Sequence, residues 1–146
     1  SAAQGGLMEK LAELNAGPYS RVRAEMLAMP AGGVKQLLQG KPPEVEYVDA
    51  SKVLFPLYVR SRKDGDRIRP LGMEGEKKVQ DLLTDSKVPR EQRDLVPLVC
   101  DSNGIVWVVG QTIANHLKVT ERSSQVLALS VLARTAEQSG WLPAVE

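Results

Sequence analysis

The densest run of side chains that could do chemistry lies between Arg60 and Arg69, where Arg60, Arg62, Lys63, Arg67 and Arg69 are interrupted by two acids, Asp64 and Asp66. Lys77, Lys78, Lys87, Arg90 and Arg93 follow it. Guanidinium and ammonium groups in such a run hold anions rather than break bonds, and arginine's planar fork suits two oxygens of one phosphate. Arg60 and Arg62 stand two residues apart at the end of an apolar run, the spacing that places side chains on one face of a strand. Gly65, Gly72 and Gly75 lie among the cations, where they let the backbone bend and approach a ligand closely. Lys77 and Lys78 open a helical pattern, and a helix start already draws an anion. The pattern reads as a phosphate-binding surface of the kind duplex RNA engages. Binding of that kind weakens with salt, with a log–log slope of roughly −0.7 to −0.9 per phosphate neutralised. A competing reading is plain solvated surface, with Asp66 paired to Arg67 across a turn and Asp94 paired to Arg90 or Arg93. Arg93 and Asp94 also fit a clamp between a helix and a sheet.

Other chemistries find little support. Cys100 and His116 are single residues of their kinds, so neither an internal disulfide framework nor a classical zinc site can be assembled. No nucleophile or acid–base constellation accompanies them. The chain has 146 residues, 42% hydrophobic and 25% charged, with a net charge of +1. Those values describe one soluble globular domain, or one with a helical extension. Its apolar runs fall far short of the ~20 residues of a transmembrane helix. Ser1-Ala2-Ala3 has neither the basic region nor the apolar core of a signal peptide and reads as an expression scar. A chain without an initiator Met reads as a fragment. A lone cysteine fits a reducing cytoplasm.

The elements that must position the cations begin with helices. Leu7, Leu11 and Leu14 recur at helical spacing up to Gly17-Pro18. Ser20 reads as the cap of a second helix carrying Val22, Met26 and Leu27, which Pro30 ends. Val34, Leu37 and Leu38 form a third between Gly33 and Gly40. Lys41-Pro42-Pro43 is a joint, which divides the chain into a helical segment over 1–42 and a domain over 43–146. Val45, Tyr47 and Val48 predict a strand, and 53–59 a second, with Pro56 arguing for an edge or a bulge. A charged, glycine-rich loop over 61–75 leads to a helix over 76–86, with Val79, Leu82 and Leu83 on one face. Pro89 opens a short helix through Gln92. Val96 to Cys100 and Ile105 to Val109 flank Asn103-Gly104, a strong hairpin signal. Trp107 and Cys100 lie in these apolar strands and read as core. Val126 to Leu132 is a strand or a helix, and Trp141-Leu142-Pro143 a frayed end.

Taken in order, Val59 to Ile68 with its Gly65-Asp66-Arg67 turn, Gly72-Met73-Glu74-Gly75-Glu76-Lys77-Lys78-Val79, Lys87-Val88-Pro89-Arg90-Glu91-Gln92-Arg93-Asp94, and Gly104 to Gly110 resemble the C-terminal domain of bacterial tRNA(Ile)-lysidine synthetases. The likeness covers roughly 53–120, and its specificity lies in the order and spacing of the pieces. It implies an α+β fold with a sheet-based core and flanking helices. The fold would be similar to a tRNA-binding part of the phenylalanyl-tRNA synthetase β subunit, here preceded by a helical N-terminal segment.

The resemblance also implies a function. Family members ligate lysine to the wobble cytidine of an isoleucine tRNA, using ATP to adenylate the base before the lysine amine attacks. Their catalytic domain carries a Ser-Gly-Gly-x-Asp-Ser loop, which neither Gly5-Gly6 nor Gly32-Gly33 matches. ATP and Mg are thus expected for a separate catalytic domain, with no cofactor and no catalytic residue here. The expected partner is tRNA(Ile), bound at its acceptor region in the cytoplasm, with no DNA and no membrane. The oligomeric state is left open, a homodimer included. RNA contact falls to Arg60, Arg62, Lys63, Arg67, Arg69, Lys77, Lys78, Lys87, Arg90 and Arg93. Two other classes compete: a protein-interaction domain that kept the fold without the RNA, and a small independent enzyme.

Overall fold

The computed structural model describes residues 19–133. Its strands form a three-stranded sheet, a four-stranded sheet and a two-stranded ribbon. The first strand, β1 (Tyr19–Ala28), runs where the spacing of Val22, Met26 and Leu27 predicts a helix. The same residues also alternate, and here alternation decides. Val22 and Ala24 are buried while Arg23 and Glu25 are exposed. In register, Val22 faces Val131, Ala24 faces Leu129 and Met26 faces Leu127 on β9 (Gln125–Ala133). An isolated helix of this length is marginal, whereas a strand laid along β9 pairs the backbone groups that face its neighbour and buries its apolar face. β2 (Val45–Asp49) pairs with the other side of β9, giving the order β1-β9-β2. Chain on both sides of the Lys41-Pro42-Pro43 joint therefore shares one sheet. The short helix α1 (Gly33–Leu38) forms as its spacing predicts, whereas Leu7 to Leu14 and Trp141 lie outside the described residues.

The four-stranded sheet has the order β3-β6-β7-β8, from β3 (Tyr58–Arg60), β6 (Leu98–Cys100), β7 (Ile105–Val108) and β8 (Thr112–Ile113). β6 and β7 are the hairpin that the Asn-Gly signal predicts. Its turn is built by the buried Asp101, whose Oδ1 accepts from the Asn103 and Gly104 N–H groups at 2.9 and 3.0 Å. Asp101 Oδ2 accepts from Leu54 N–H at 3.0 Å, and Ser102 N–H donates to the Leu54 carbonyl at 2.9 Å. These bonds draw the backbone before β3 out of any ladder. The strand expected over 53–59 is accordingly shortened to Tyr58–Arg60, after a cis Phe55–Pro56 bond. β3 lies at a sheet edge, as Pro56 argues.

One apolar core joins the sheets. It takes Val22, Val48, Leu127 and Leu129 from the first sheet, Leu98, Val99, Val106, Trp107 and Val108 from the second, and Val79 and Leu83 from helix α2 (Val79–Asp85). Trp107 is 1% exposed and Cys100 fully buried, both in the core as their apolar strands predict. Asp49 is buried at the end of β2, accepting from Ser51 N–H and Oγ at 3.0 and 2.7 Å and from Ser123 Oγ at 2.7 Å. This ties β2 to the turn before β9.

Candidate functional site

The basic stretch begins at the end of β3. Arg60 reaches Asp66 with both arms of its fork, Nη1 to Oδ2 at 2.8 Å and Nη2 to Oδ1 at 3.0 Å. Asp66 also accepts from Lys63 N–H at 2.7 Å. Its own N–H donates to the Lys63 carbonyl at 3.1 Å, and its carbonyl accepts from Val79 N–H at 2.9 Å. One carboxylate thus closes the 63–66 turn and pins it to the start of α2. The Arg60 guanidinium holds the Asp66 carboxyl below the usual carboxylate range, and Asp66 in return raises Arg60. The expected Asp66–Arg67 pair is not what forms. Arg67 points instead to Glu76, Nε to Oε1 at 3.3 Å.

Arg62 is drawn to a different carboxylate. Its Nε lies 3.0 Å from Asp94 Oδ1, at an angle that makes an ion pair without a directed hydrogen bond. Asp94 therefore serves Arg62 rather than Arg90 or Arg93. β3 ends at Arg60, so the strand alternation that would pair Arg60 and Arg62 on one face does not extend to Arg62. The Arg62–Asp94 pair draws the loop against the 3₁₀ helix Arg90–Leu95, where Arg93 Nε donates to the Val88 carbonyl at 3.0 Å. Arg69 Nε donates to the Met73 carbonyl at 2.9 Å.

Lys77 and Lys78 stand at the start of the helix, as the sequence predicts, but in extended backbone: Lys78 is the residue that caps it, and α2 begins at Val79. They form β5 (Lys77–Lys78), antiparallel to β4 (Arg67–Ile68), with Lys78 opposite Arg67 and Lys77 opposite Ile68. Ile68 and Val79 are both buried, and holding them inward requires extended backbone at the two lysines. Lys77 Nζ is ion-paired with Asp85 at the far end of α2. Lys78 is exposed beside Arg67, and like charges directly opposite each other in a ribbon repel. Gly65 and Gly72 have φ of 87° and 81°, left-handed backbone that bends the chain there, whereas Gly75 adopts no positive φ.

The ten expected residues thus divide. Arg60, Arg62, Arg67, Arg69, Lys77 and Arg93 have internal partners. Lys63, Lys78, Lys87 and Arg90 are exposed and make no ion pair among the described residues. Lys87 has a φ of 61°, an uncommon conformation for a non-glycine residue, in the turn that ends α2. Two residues with structural weight escape the sequence reading: Asp66 as the partner of Arg60, and Asp101 as the hairpin anchor. A signal for the first exists, since an acid in a Gly-Asp turn six residues after a strand-end arginine is within reach.

Other reactive groups stay apart. His116 is exposed, and burial pushes the Cys100 thiol up, away from its reactive thiolate form. Among the described residues no cluster of His, Cys, Asp or Glu could hold a metal, and no helix is long and apolar enough to cross a membrane.

A family model, sequence relatives and one solved domain agree on one family. The family described as TilS substrate C-terminal domain matches residues 57–130, just over half of the chain. A tRNA(Ile)-lysidine synthase of Clostridium tetani is 42% identical over 94 residues, covering 64% of this chain and 20% of that protein. One from Caldanaerobacter subterraneus subsp. tengcongensis is 44% identical over 85 residues, covering 58% and 18%. The chain thus spans about a fifth of the length of these curated relatives. A crystal structure of a TILS C-terminal domain superposes with a TM-score of 0.66 at 27% identity, over 85% of this chain and 96% of that one. An N-terminal fragment of the phenylalanyl-tRNA synthetase β-subunit from Pyrococcus horikoshii gives 0.68 at 15% identity, over 90% and 43%, and so shares the fold. The α+β architecture with its sheet-based core is therefore that of both solved domains, and the chain belongs to the family of tRNA(Ile)-lysidine synthetase C-terminal domains.

Proposed function

We propose that this domain binds tRNA(Ile), at its acceptor region, for a protein that ligates lysine to the wobble cytidine at the expense of ATP. The observation that carries this reading is the set of uncommitted cations, Lys63, Lys78, Lys87 and Arg90, on elements that the Arg62–Asp94 pair and the β4–β5 ribbon draw together. Repulsion between Lys78 and Arg67 across the ribbon is relieved when a phosphate sits between them. The tied residues shape the surface: Arg60, Arg62, Arg67 and Lys77 are offset by carboxylates, while Arg69 and Arg93, bonded to carbonyls, still add positive field. Catalysis, ATP and Mg belong to a separate catalytic domain in this reading, and the setting is the cytoplasm.

The test is an electrophoretic shift of isoleucine tRNA by this chain at two salt concentrations. Salt-sensitive binding is expected, and no binding even at low salt would sink the proposal. A second reading, contact with another protein, is favoured by Leu71 and Met73. Both stand 47–48% exposed on a loop held by Thr112 and Asn115. No tRNA shift at low salt, together with binding of a partner protein that is lost on replacing both with Ser and kept on reversing Lys78, would favour that reading.

A further inference from the structure

Beside the Arg90–Leu95 3₁₀ helix lies a half-open pocket of about 180 Å³, with Val88, Val96 and Val109 in its lining and Gln92 and Gln111 as polar groups. Tyr19 adds an aromatic ring. Ser86 Oγ donates to Gln111 Oε1 at 2.5 Å, which fixes the facing of that amide. Its Nε2 hydrogens are left with no acceptor among the described residues, and the Gln92 side-chain amide makes no hydrogen bond among them either. Two of the uncommitted cations are close in the chain to lining residues, Lys87 next to Val88 and Arg90 two residues before Gln92. It is smaller than the roughly 300–1,000 Å³ that drug-sized ligands occupy. An apolar lining for a flat ring, amides for the ring's polar edge and cations for the adjoining phosphate complement a single unpaired nucleotide.

We infer that this pocket takes one unpaired nucleobase from an RNA strand that continues out of a duplex held by the neighbouring cations. The inference rests on the RNA-binding reading above. Its test compares the affinity of the whole 146-residue chain for two RNA hairpins, one blunt and one carrying a short single-stranded tail. The tailed hairpin is expected to bind at least about fivefold more tightly, the scale of stacking one base. In Gln92→Ala and in Gln111→Ala that ratio falls toward one. Using the ratio separates the pocket from any loss of folding, and Gln92→Ala leaves the Ser86–Gln111 bond in place. If the wild-type chain binds the blunt hairpin and gains nothing from the tail, the pocket inference fails while the RNA reading stands. If it binds neither hairpin, the RNA reading itself fails. A tail preference that persists undiminished in both variants also overturns the pocket assignment.

Discussion

Arg60 and Lys78 belong to one basic stretch, yet the structure gives them opposite situations. Both arms of the Arg60 fork are filled by Asp66, and its side chain is only 22% exposed. Lys78 stands in solvent opposite another cation. To meet a phosphate, Arg60 would have to give up a bidentate charge-assisted pair that also closes the 63–66 turn, whereas Lys78 would lose a repulsion. The difference teaches that density of positive charge is a poor guide to ligand contact. What matters is which cations the fold has already spent on its own carboxylates and carbonyls.

Breaking the committed end should have the largest effect. Asp66→Ala strands a half-buried guanidinium and frees the Lys63 N–H, so unfolding in urea should show a loss of about 2–4 kcal/mol. A loss under ~0.5 kcal/mol would erase the contrast with Lys78. The same carboxyl sets a pH dependence. The folded-state pKa of Asp66 is lowered, chiefly by Arg60. That of Asp49 is lowered as well, where burial alone would raise it but the hydrogen bonds from Ser51 and Ser123 outweigh it. Groups depressed in this way contribute fully above the ordinary carboxylate pKa of about 3.9, and the contribution is lost as pH falls through their folded values. Stability should therefore decline below about pH 4, and Asp66→Asn should flatten that decline; an unchanged acid profile would contradict the assignment.

At the uncommitted end the readout moves from stability to binding. Lys78→Glu and Lys87→Glu should each weaken tRNA binding about tenfold, ~1.4 kcal/mol, while shifting stability by no more than ~0.5 kcal/mol. Each should lower the salt slope by roughly 0.7–0.9. Lys35→Glu and Lys118→Glu, exposed cations on other elements, serve as the reference, and equal losses there would mean the surface is misplaced. The smallest effect is expected from Arg67→Ala. Its pair with Glu76 is 48% and 64% exposed, so the stability change should stay under ~0.5 kcal/mol.

Much of the fold is legible in short stretches of chain. The β6–β7 hairpin follows from two apolar β-branched runs around Asn103-Gly104, α2 from the spacing of Val79 and Leu83, and the burial of Trp107 and Cys100 from their neighbours. Family membership is legible too, because the order and spacing of the motif pieces survive in the linear sequence. The Tyr19–Ala28 segment is different. Val22, Met26 and Leu27 fit a helix, Val22, Ala24 and Met26 fit a strand, and nothing within the segment breaks the tie.

The sequence by itself determined where charge is concentrated, where the hairpin turns and which family the chain joins. Charge density and the turn depend on residues only a few positions apart, and the family on the linear order of short pieces along 57–130. Only the tertiary structure decided that 19–28 is a strand, because its partner β9 lies about a hundred residues away in the chain. It also decided which cations stay free. Asp66 lies nearest Arg67 in sequence but closes on Arg60, and Asp94 closes on Arg62, since an ion pair forms with whichever carboxylate the packed backbone brings within reach. The Gln92–Gln111 pocket is likewise absent from any linear pattern, because its walls come from segments that meet only when the core has formed.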